Sequence, residues 1–247
     1  MKIAVLSDIH GNMHALNAVL ENINEQNCDK IFVLGDYAMA GPQPKEVIHF
    51  FMDKLNDKTY KMIQGNTDLM LAKYSEDLYD MLQESAPIMA DALKFDANEL
   101  DNLEKAFLLT LPEKLEITEG GVKFLLVHGS PRKNNEDILP DVRLDKVEEM
   151  LAGVKADVIL CGHTHIPCGF QTRTKKTVIN VGSVGRPFTP EPKACYLTIV
   201  VEDGKCEYEH HFVEYDKNAA YEILRKRNFW GADALANTLL NPEKRHF

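Results

Sequence analysis

Seven residues of metal-ligating type, Asp8, His10, Asp36, Asn66, His128, His163 and His165, stand in five short polar clusters. The clusters are Ser7-Asp8-Ile9-His10-Gly11-Asn12, Gly35-Asp36, Gly65-Asn66-Thr67-Asp68, His128-Gly129 and Gly162-His163-Thr164-His165. Each follows an apolar run: Ile3-Ala4-Val5-Leu6, Ile31-Phe32-Val33-Leu34, Met62-Ile63, Phe124-Leu125-Leu126-Val127 and Val158-Ile159-Leu160. Loops leaving the carboxyl ends of strands in an open α/β sheet converge on one edge, where ligands bind. Asp8 and His10, two apart, could grip one cation, and Asp36 has two oxygens with which to bridge two. Asn66 offers a neutral carbonyl oxygen; His128, His163 and His165 offer imidazole nitrogens. Carboxylate and imidazole without thiolate suit Mn, Fe or Zn better than Mg or Ca. A pair of such ions about 3.5–4 Å apart clamps a phosphate and lowers the pKa of a bridging water. The chemistry indicated is metal-dependent hydrolysis.

Taken singly, His128 reads as an ordinary strand-end histidine and Asp36 as a turn residue after Gly35. The signal is their coincidence after successive apolar runs. Cys161-x-His163-x-His165-x-x-Cys168 is an alternative, local zinc site, but its spacing lacks a familiar zinc pattern and Cys161 lies in an apolar strand. Two arginines could meet phosphate oxygens, Arg132 after His128-Gly-Ser-Pro and Arg186 in a glycine-rich turn; a solvated loop arginine is the plainer reading of each. Asn12 caps a helix or touches substrate, the cap ranking first.

The elements that must position these residues can be read from periodicity. Strands are expected at 2–7, 30–35 and 59–64, with helices over 12–26 (Ala15, Leu16, Val19, Leu20 and Ile23 inward) and over 44–55, opened by Pro44. This alternation implies a mostly parallel sheet covered on both faces. Residues 68–111 break the rhythm with two or three helices expected, for example 76–93 and 97–109, Pro87 kinking or splitting the first. That helical insertion either caps the site or merely covers a sheet face. Further strands are expected at 115–119, 122–128, 157–161, 176–181, 194–202 and 206–214, with hairpin turns at Gly120-Gly121 and Asp203-Gly204. Helices at about 143–152 and over 217–240, the latter holding Trp230, complete an α/β fold, a four-layered α-β-β-α sandwich of two mixed sheets with a helical insertion. With no repeat or flexible linker, 1–247 reads as one domain.

The 247 residues are 45% hydrophobic and 27% charged, with a formal net charge of −10. That balance argues against broad nucleic-acid binding, which needs a basic face. An anionic substrate remains open to the chain, because bound cations reverse the field locally. The first apolar run is too short for a signal-peptide core, and no segment approaches a membrane span. The odd, scattered set of five cysteines lacks framework spacing. Reduced thiols and a cytoplasmic location are expected. The expected partner is a small phosphorylated or nucleotide substrate, with no membrane; a homo-oligomer is left open.

Asp8-x-His10, Gly35-Asp36, Gly65-Asn66, His128 and Gly162-His163-x-His165 together resemble the calcineurin-like metallophosphoesterase superfamily in order and spacing, from residue 1 to about 185. The resemblance implies one metal held by Asp8, His10, Asp36 and His165 and another held by Asp36, Asn66, His128 and His163, the pair being Mn and/or Fe, or Zn. Asp36, Asn66, His128 and Asp68 then carry the catalytic roles, Asp68 by orienting a ligand. Arg132, Arg186 and Asn12 are the candidates for substrate contact. The opening Ser-Asp-Ile-His-Gly-Asn and the stretch Asn180 to Phe188 are similar to the compact bacterial and archaeal phosphodiesterase branch. Within that branch, length and insertion resemble enzymes that split dinucleoside tetraphosphates asymmetrically. One position departs from the pattern: many members carry a leaving-group histidine where this chain has Thr67. A poor general acid there favours substrates with intrinsically good leaving groups, such as phosphoanhydrides or activated diesters. Phosphomonoesterase activity is the enzymatic alternative. A non-catalytic scaffold is the other, since a retromer subunit uses a similar fold.

Overall fold

The apolar runs form short strands because they are bounded by polar loops and because both of their faces are buried. In the computed structural model, residues 1–242 are described. The first half runs β1 (Lys2–Leu6), α1 (Met13–Glu25), β2 (Lys30–Val33), α2 (Pro44–Asp53), β3 (Tyr60–Met62), then α3 (Asn66–Ala72), α4 (Glu76–Gln83), α5 (Pro87–Glu99) and α6 (Asn102–Thr110). The second runs β4 (Lys114–Glu119), β5 (Val122–Val127), α7 (Leu144–Met150), β6 (Val158–Cys161), β7 (Cys168–Gln171), β8 (Thr177–Asn180), β9 (Ala194–Glu202), β10 (Lys205–Val213), α8 (Lys217–Leu224) and α9 (Ala232–Leu240).

Two five-stranded sheets result, ordered β10-β9-β1-β2-β3 and β4-β5-β6-β8-β7. Both are mixed: β1, β2 and β3 are parallel, as are β5, β6 and β8, and antiparallel strands flank each set. Ile3, Val5, Phe32 and Leu34 of the first sheet pack against Phe124, Leu126, Leu160 and Ile179 of the second, forming the central layer of core. The outer face of the first sheet is covered by α1, α2, α8, α9 and the insertion, and that of the second by α7. This is the four-layered sandwich. Asp203 and Gly204 both take left-handed backbone at φ 50° and 74°, the conformation a two-residue hairpin needs.

Several boundaries differ from the periodicity. Residues 66–110 form four helices, not two or three. The expected 76–93 helix is split rather than kinked: α4 ends at Gln83 and Pro87 opens α5, where its missing N–H costs nothing. Asp101 and Glu104 build a reciprocal capping box that starts α6 at Asn102, cutting the expected 97–109 helix in two. Residues 217–240 are likewise divided, with Gly231 at φ 85° preceding α9. Strand β7 is not among the expected strands: the four-residue alternation of Cys-Gly-Phe-Gln is too short to stand out, and pairing with β8 defines it. The insertion buries Leu71, Leu93, Ala97, Phe107 and Leu108 in the same cluster as α1 and α2, so it covers the outer face of the first sheet. It also reaches the candidate site, where Met89 of α5 lies against Arg186. Among the described residues no helix is long and apolar enough to cross a membrane.

Candidate metal centre

Asp8 and His10 follow β1, Asp36 follows β2, and Asn66 opens α3 after β3. His128 follows β5, and His163 and His165 follow β6. The carboxyl ends of two parallel sets therefore meet, and hydrogen bonds stitch the sheets together there. The His163 N–H donates to Asp8 Oδ2 at 3.0 Å, and His128 Nδ1 lies 2.7 Å from the Leu34 carbonyl oxygen. Asp8, His10, Asp36, His163 and His165 all hold left-handed backbone, with φ between 45° and 67°. Non-glycine residues in this region cost on the order of 1 kcal/mol each and cluster where a fold over-determines a site. Close approach demands glycine at several places, Gly65 and Gly162 among them. A Cβ on Gly65 would stand 2.1 Å from Asp36 Oδ1, and one on Gly162 would stand 2.0 Å from Ser7 Oγ.

Each carboxylate has one oxygen tied to backbone and the other turned towards imidazoles. Asp36 Oδ1 accepts the Thr67 N–H at 2.9 Å, while Oδ2 lies 3.3 Å from His128 Nε2 and 3.7 Å from His10 Nε2. Asp8 Oδ1 lies 3.2 Å from His165 Nε2 and 3.8 Å from His10 and His128 Nε2. The histidines are oriented alike. Nδ1 of His10, His128 and His165 meets the carbonyl oxygens of Met39, Leu34 and Arg186 at 2.7, 2.7 and 2.6 Å. A backbone carbonyl can only accept, so each Nδ1 carries a proton and each Nε2 is turned into the site, where its lone pair can serve a cation. The Nε2 atoms of His10 and His165 then face one another at 3.1 Å. Asp8 Oδ1, Asn66 Oδ1 and His128 Nε2 are buried without a hydrogen-bond partner among the described residues. Converging lone pairs in a buried site repel unless a cation lies among them, so the donor set fits metal ions.

The electrostatics agree. Burial pushes the Asp8 carboxyl up, but the imidazoles of His165 and His128 outweigh it and hold the group at about 2. Burial likewise opposes ionisation of Asp36, which His128 and His10 nevertheless carry well below the usual carboxylate range. His128 pays the opposite way: burial disfavours its charge, yet Asp36 and Asp8 raise it to about 10. Within the chain alone, a proton on His128 thus balances two buried carboxylates, a task suited to a divalent cation. Burial and then His165 lower His10 to about 4.

The acidic and imidazole groups come together as Asp8, His10 and His165, and as Asp8, Asp36 and His128, ligand atoms within 4.8 Å in each group. His163 stands at the rim, its ring 5.3 Å from that of His128 and its Nε2 3.5 Å from Asp137 Oδ1. Neither group includes Cys161 or Cys168, so the local zinc alternative gains no geometric support. Asp68 touches no imidazole. Its oxygens accept the N–H groups of Asp36, Tyr37 and Gly65 at 2.8, 2.9 and 2.8 Å, so it orients the Asp36 loop through backbone. Burial, followed by the Asp36 charge, raises its pKa to about 7. Asn12 is fully buried; its oxygen caps α1 at Ala15 N–H and its nitrogen donates to the Gly185 carbonyl. Both of its polar atoms thus meet backbone, and its place is that of a helix cap. Arg132 pairs with Glu136 on the rim of a cavity of about 260 Å³ that His128, Ser130 and Lys133 also line. Arg186 is buried beside His165, its Nη1 3.5 Å from Met89 Sδ.

Several supporting residues escaped sequence reasoning. Phe188 stacks on His165 with centroids 4.7 Å apart. Asn180 Nδ2 donates to the Gly162 carbonyl at 2.6 Å and to Thr164 Oγ1 at 3.0 Å, and Ser183 Oγ donates to the Asp8 carbonyl at 2.8 Å. The signal that could have found them is the Asn180–Phe188 stretch itself. Asp96, whose carboxylate meets the Ala40 N–H at 2.7 Å, left no local signal, lying 56 residues away in the insertion.

The family model of the calcineurin-like phosphoesterase superfamily domain matches residues 1–204. An uncharacterised protein of Methanocaldococcus jannaschii is 33% identical over 241 residues, covering 91% of this chain and 92% of that one. A hypothetical protein of Pyrococcus horikoshii has a similar structure, with TM-score 0.86, 25% identity and 99% of each chain covered. So does a metallophosphoesterase of Sphaerobacter thermophilus, with TM-score 0.77, 23% identity and 97% and 98% covered. With the match spanning most of its length and a relative of this identity along nearly all of it, the chain belongs to the calcineurin-like phosphoesterase superfamily.

Proposed function

We propose that this member is a binuclear metal-dependent hydrolase of phosphodiester or nucleotide phosphoanhydride bonds. Asp8, His10, Asp36 and His165 would hold one cation, and Asp36, Asn66, His128 and His163 the other, Mn or Fe being the best fit to the donors. When bound, such a pair supplies Lewis-acid stabilisation of phosphate charge and a water of lowered pKa. The observation that carries this reading is the set of Nε2 atoms bared by Nδ1–carbonyl bonds, converging with Asp8 Oδ1, Asp36 Oδ2 and the unpartnered Asn66 oxygen.

The chain's own contribution is orientation. The Thr67 N–H holds Asp36 Oδ1 and leaves Oδ2 turned towards the imidazoles, so Asp36 would help to hold both cations. Asp68 fixes the loop that presents it. Arg186, in the wall beside His165, would bind a substrate phosphate oxygen, with Arg132 further out and engaged by Glu136. Thr67 offers no proton donor of suitable pKa, so the leaving group must depart largely unassisted. The test is hydrolysis of a chromogenic diester with added Mn²⁺, followed by a panel of nucleotides, dinucleoside polyphosphates, cyclic nucleotides and sugar monophosphates. Turnover of diesters or anhydrides above monophosphates is expected. High turnover on sugar monophosphates alone would overturn the bond specificity, and inactivity with every metal would favour a scaffold.

A further inference from the structure

The His10 ring is oriented by a peptide group whose other side is gripped from the insertion. His10 Nδ1 donates to the Met39 carbonyl oxygen at 2.7 Å. The N–H of that same peptide unit belongs to Ala40 and donates to Asp96 Oδ2 at 2.7 Å. Asp96 is fully buried in α5, and Ala40 holds φ 66°, a conformation a non-glycine residue keeps only when it is held there. Arg227, in the segment between α8 and α9, completes the grip. Its Nη1 lies 2.6 Å from Asp96 Oδ1 and donates to the Gly41 carbonyl at 2.8 Å, and its guanidinium lies 5.0 Å from the Phe95 ring centroid. Carboxylate, peptide and imidazole thus form one continuous hydrogen-bonded chain, in which each bond polarises the next. His165 has no counterpart, because its carbonyl partner Arg186 precedes Pro187, which has no N–H.

We propose that Asp96, held by Arg227, is a positioning residue for the His10 side of the metal centre, acting through the Met39–Ala40 peptide. The proposal rests on the binuclear reading above. A carboxylate that directly accepts a ligand histidine's N–H fixes the ring and strengthens the ligand, and its loss typically costs 10–100-fold in metal affinity. Here the same influence passes through one peptide unit, and its source lies in the insertion and the C-terminal segment. Residue 227 lies outside the span that the family model matches.

The test is Mn²⁺ binding by titration calorimetry on the purified full chain, with thermal melting in chelator as the measure of fold. The wild type is expected to bind two Mn²⁺. Asp96→Ala should weaken one site about 10-fold or more, leaving the other intact. Asp96→Asn, which keeps an oxygen for the Ala40 N–H, should recover most of that affinity. Glu99→Gln, which removes only the outer partner of Arg227, should change neither site. Should Asp96→Ala fail to fold in chelator, Arg227→Lys carries the test. One ammonium cannot reproduce the guanidinium's contacts, so a smaller loss at the same site is expected. Unchanged affinity at both sites, or equal weakening of both, would overturn the proposal while sparing the binuclear reading. A wild type that binds no Mn²⁺ would overturn both.

Discussion

At the scale of single residues, the ligands are specified twice, by their chemistry and by the backbone partner of their second polar atom. Asp36 illustrates this: the Thr67 N–H holds one oxygen and leaves the other facing His128 and His10. Asp36→Ala should therefore abolish hydrolysis and reduce bound metal at both sites; retained activity in a chromogenic diester assay would contradict the bridge. His165→Ala should weaken mainly one site, seen as loss of one metal in elemental analysis. Arg186→Ala should raise KM more than it lowers metal content, since its side chain lies beside the site while its carbonyl, which orients His165, survives the change. Metal loss in step with activity would assign Arg186 a purely structural part.

At the scale of elements, each candidate ligand loop follows a short strand, and those after β1, β2 and β6 hold left-handed backbone at Asp8, His10, Asp36, His163 and His165. One tight fit is the turn into α3, where Gly35 and Gly65 touch. A Cβ on Gly35 would stand 2.3 Å from Gly65 N, and one on Gly65 would press on the Asp36 carboxylate. Gly65→Ala should thus lower metal affinity as well as stability, checked by paired calorimetric and melting measurements; a loss of stability with unaltered metal binding would show that the turn relaxes away from Asp36. The helical boundaries show how local chemistry overrides periodicity. The Asp101–Glu104 capping box and Pro87 at the first turn of α5 divide an apolar pattern that by spacing alone reads as longer helices.

At the scale of the whole molecule, metal and fold should stabilise one another, because the unfolded chain cannot gather these ligands. At a free metal concentration about 100 times Kd, one site adds about 2.7 kcal/mol. For a chain of this size that raises Tm by roughly 5–10 °C. Melting with Mn²⁺ against melting with chelator checks this, and coincident curves would speak against a metal shared by both sheets. Phe124 sits at the centre of the inter-sheet core, edge-on to Phe32 at 6.3 Å. Phe124→Ala should cost about 3–5 kcal/mol in chemical denaturation. The sequence by itself determined the candidate ligands, the strand-then-loop rhythm, the two mixed sheets and the superfamily resemblance, because strand burial and side-chain chemistry are local properties that leave a mark at each position. Only the tertiary structure decided that Asn12 is a buried cap, that Asp68 acts through backbone and that β7 is a strand. The same holds for Arg132 being engaged by Glu136 and for Asp96 and Arg227 standing behind His10. The physical reason is that these roles depend on which distant backbone N–H or carbonyl a side chain meets, and residues 10, 40, 96 and 227 become neighbours only when the sheets, the insertion and the C-terminal segment pack together.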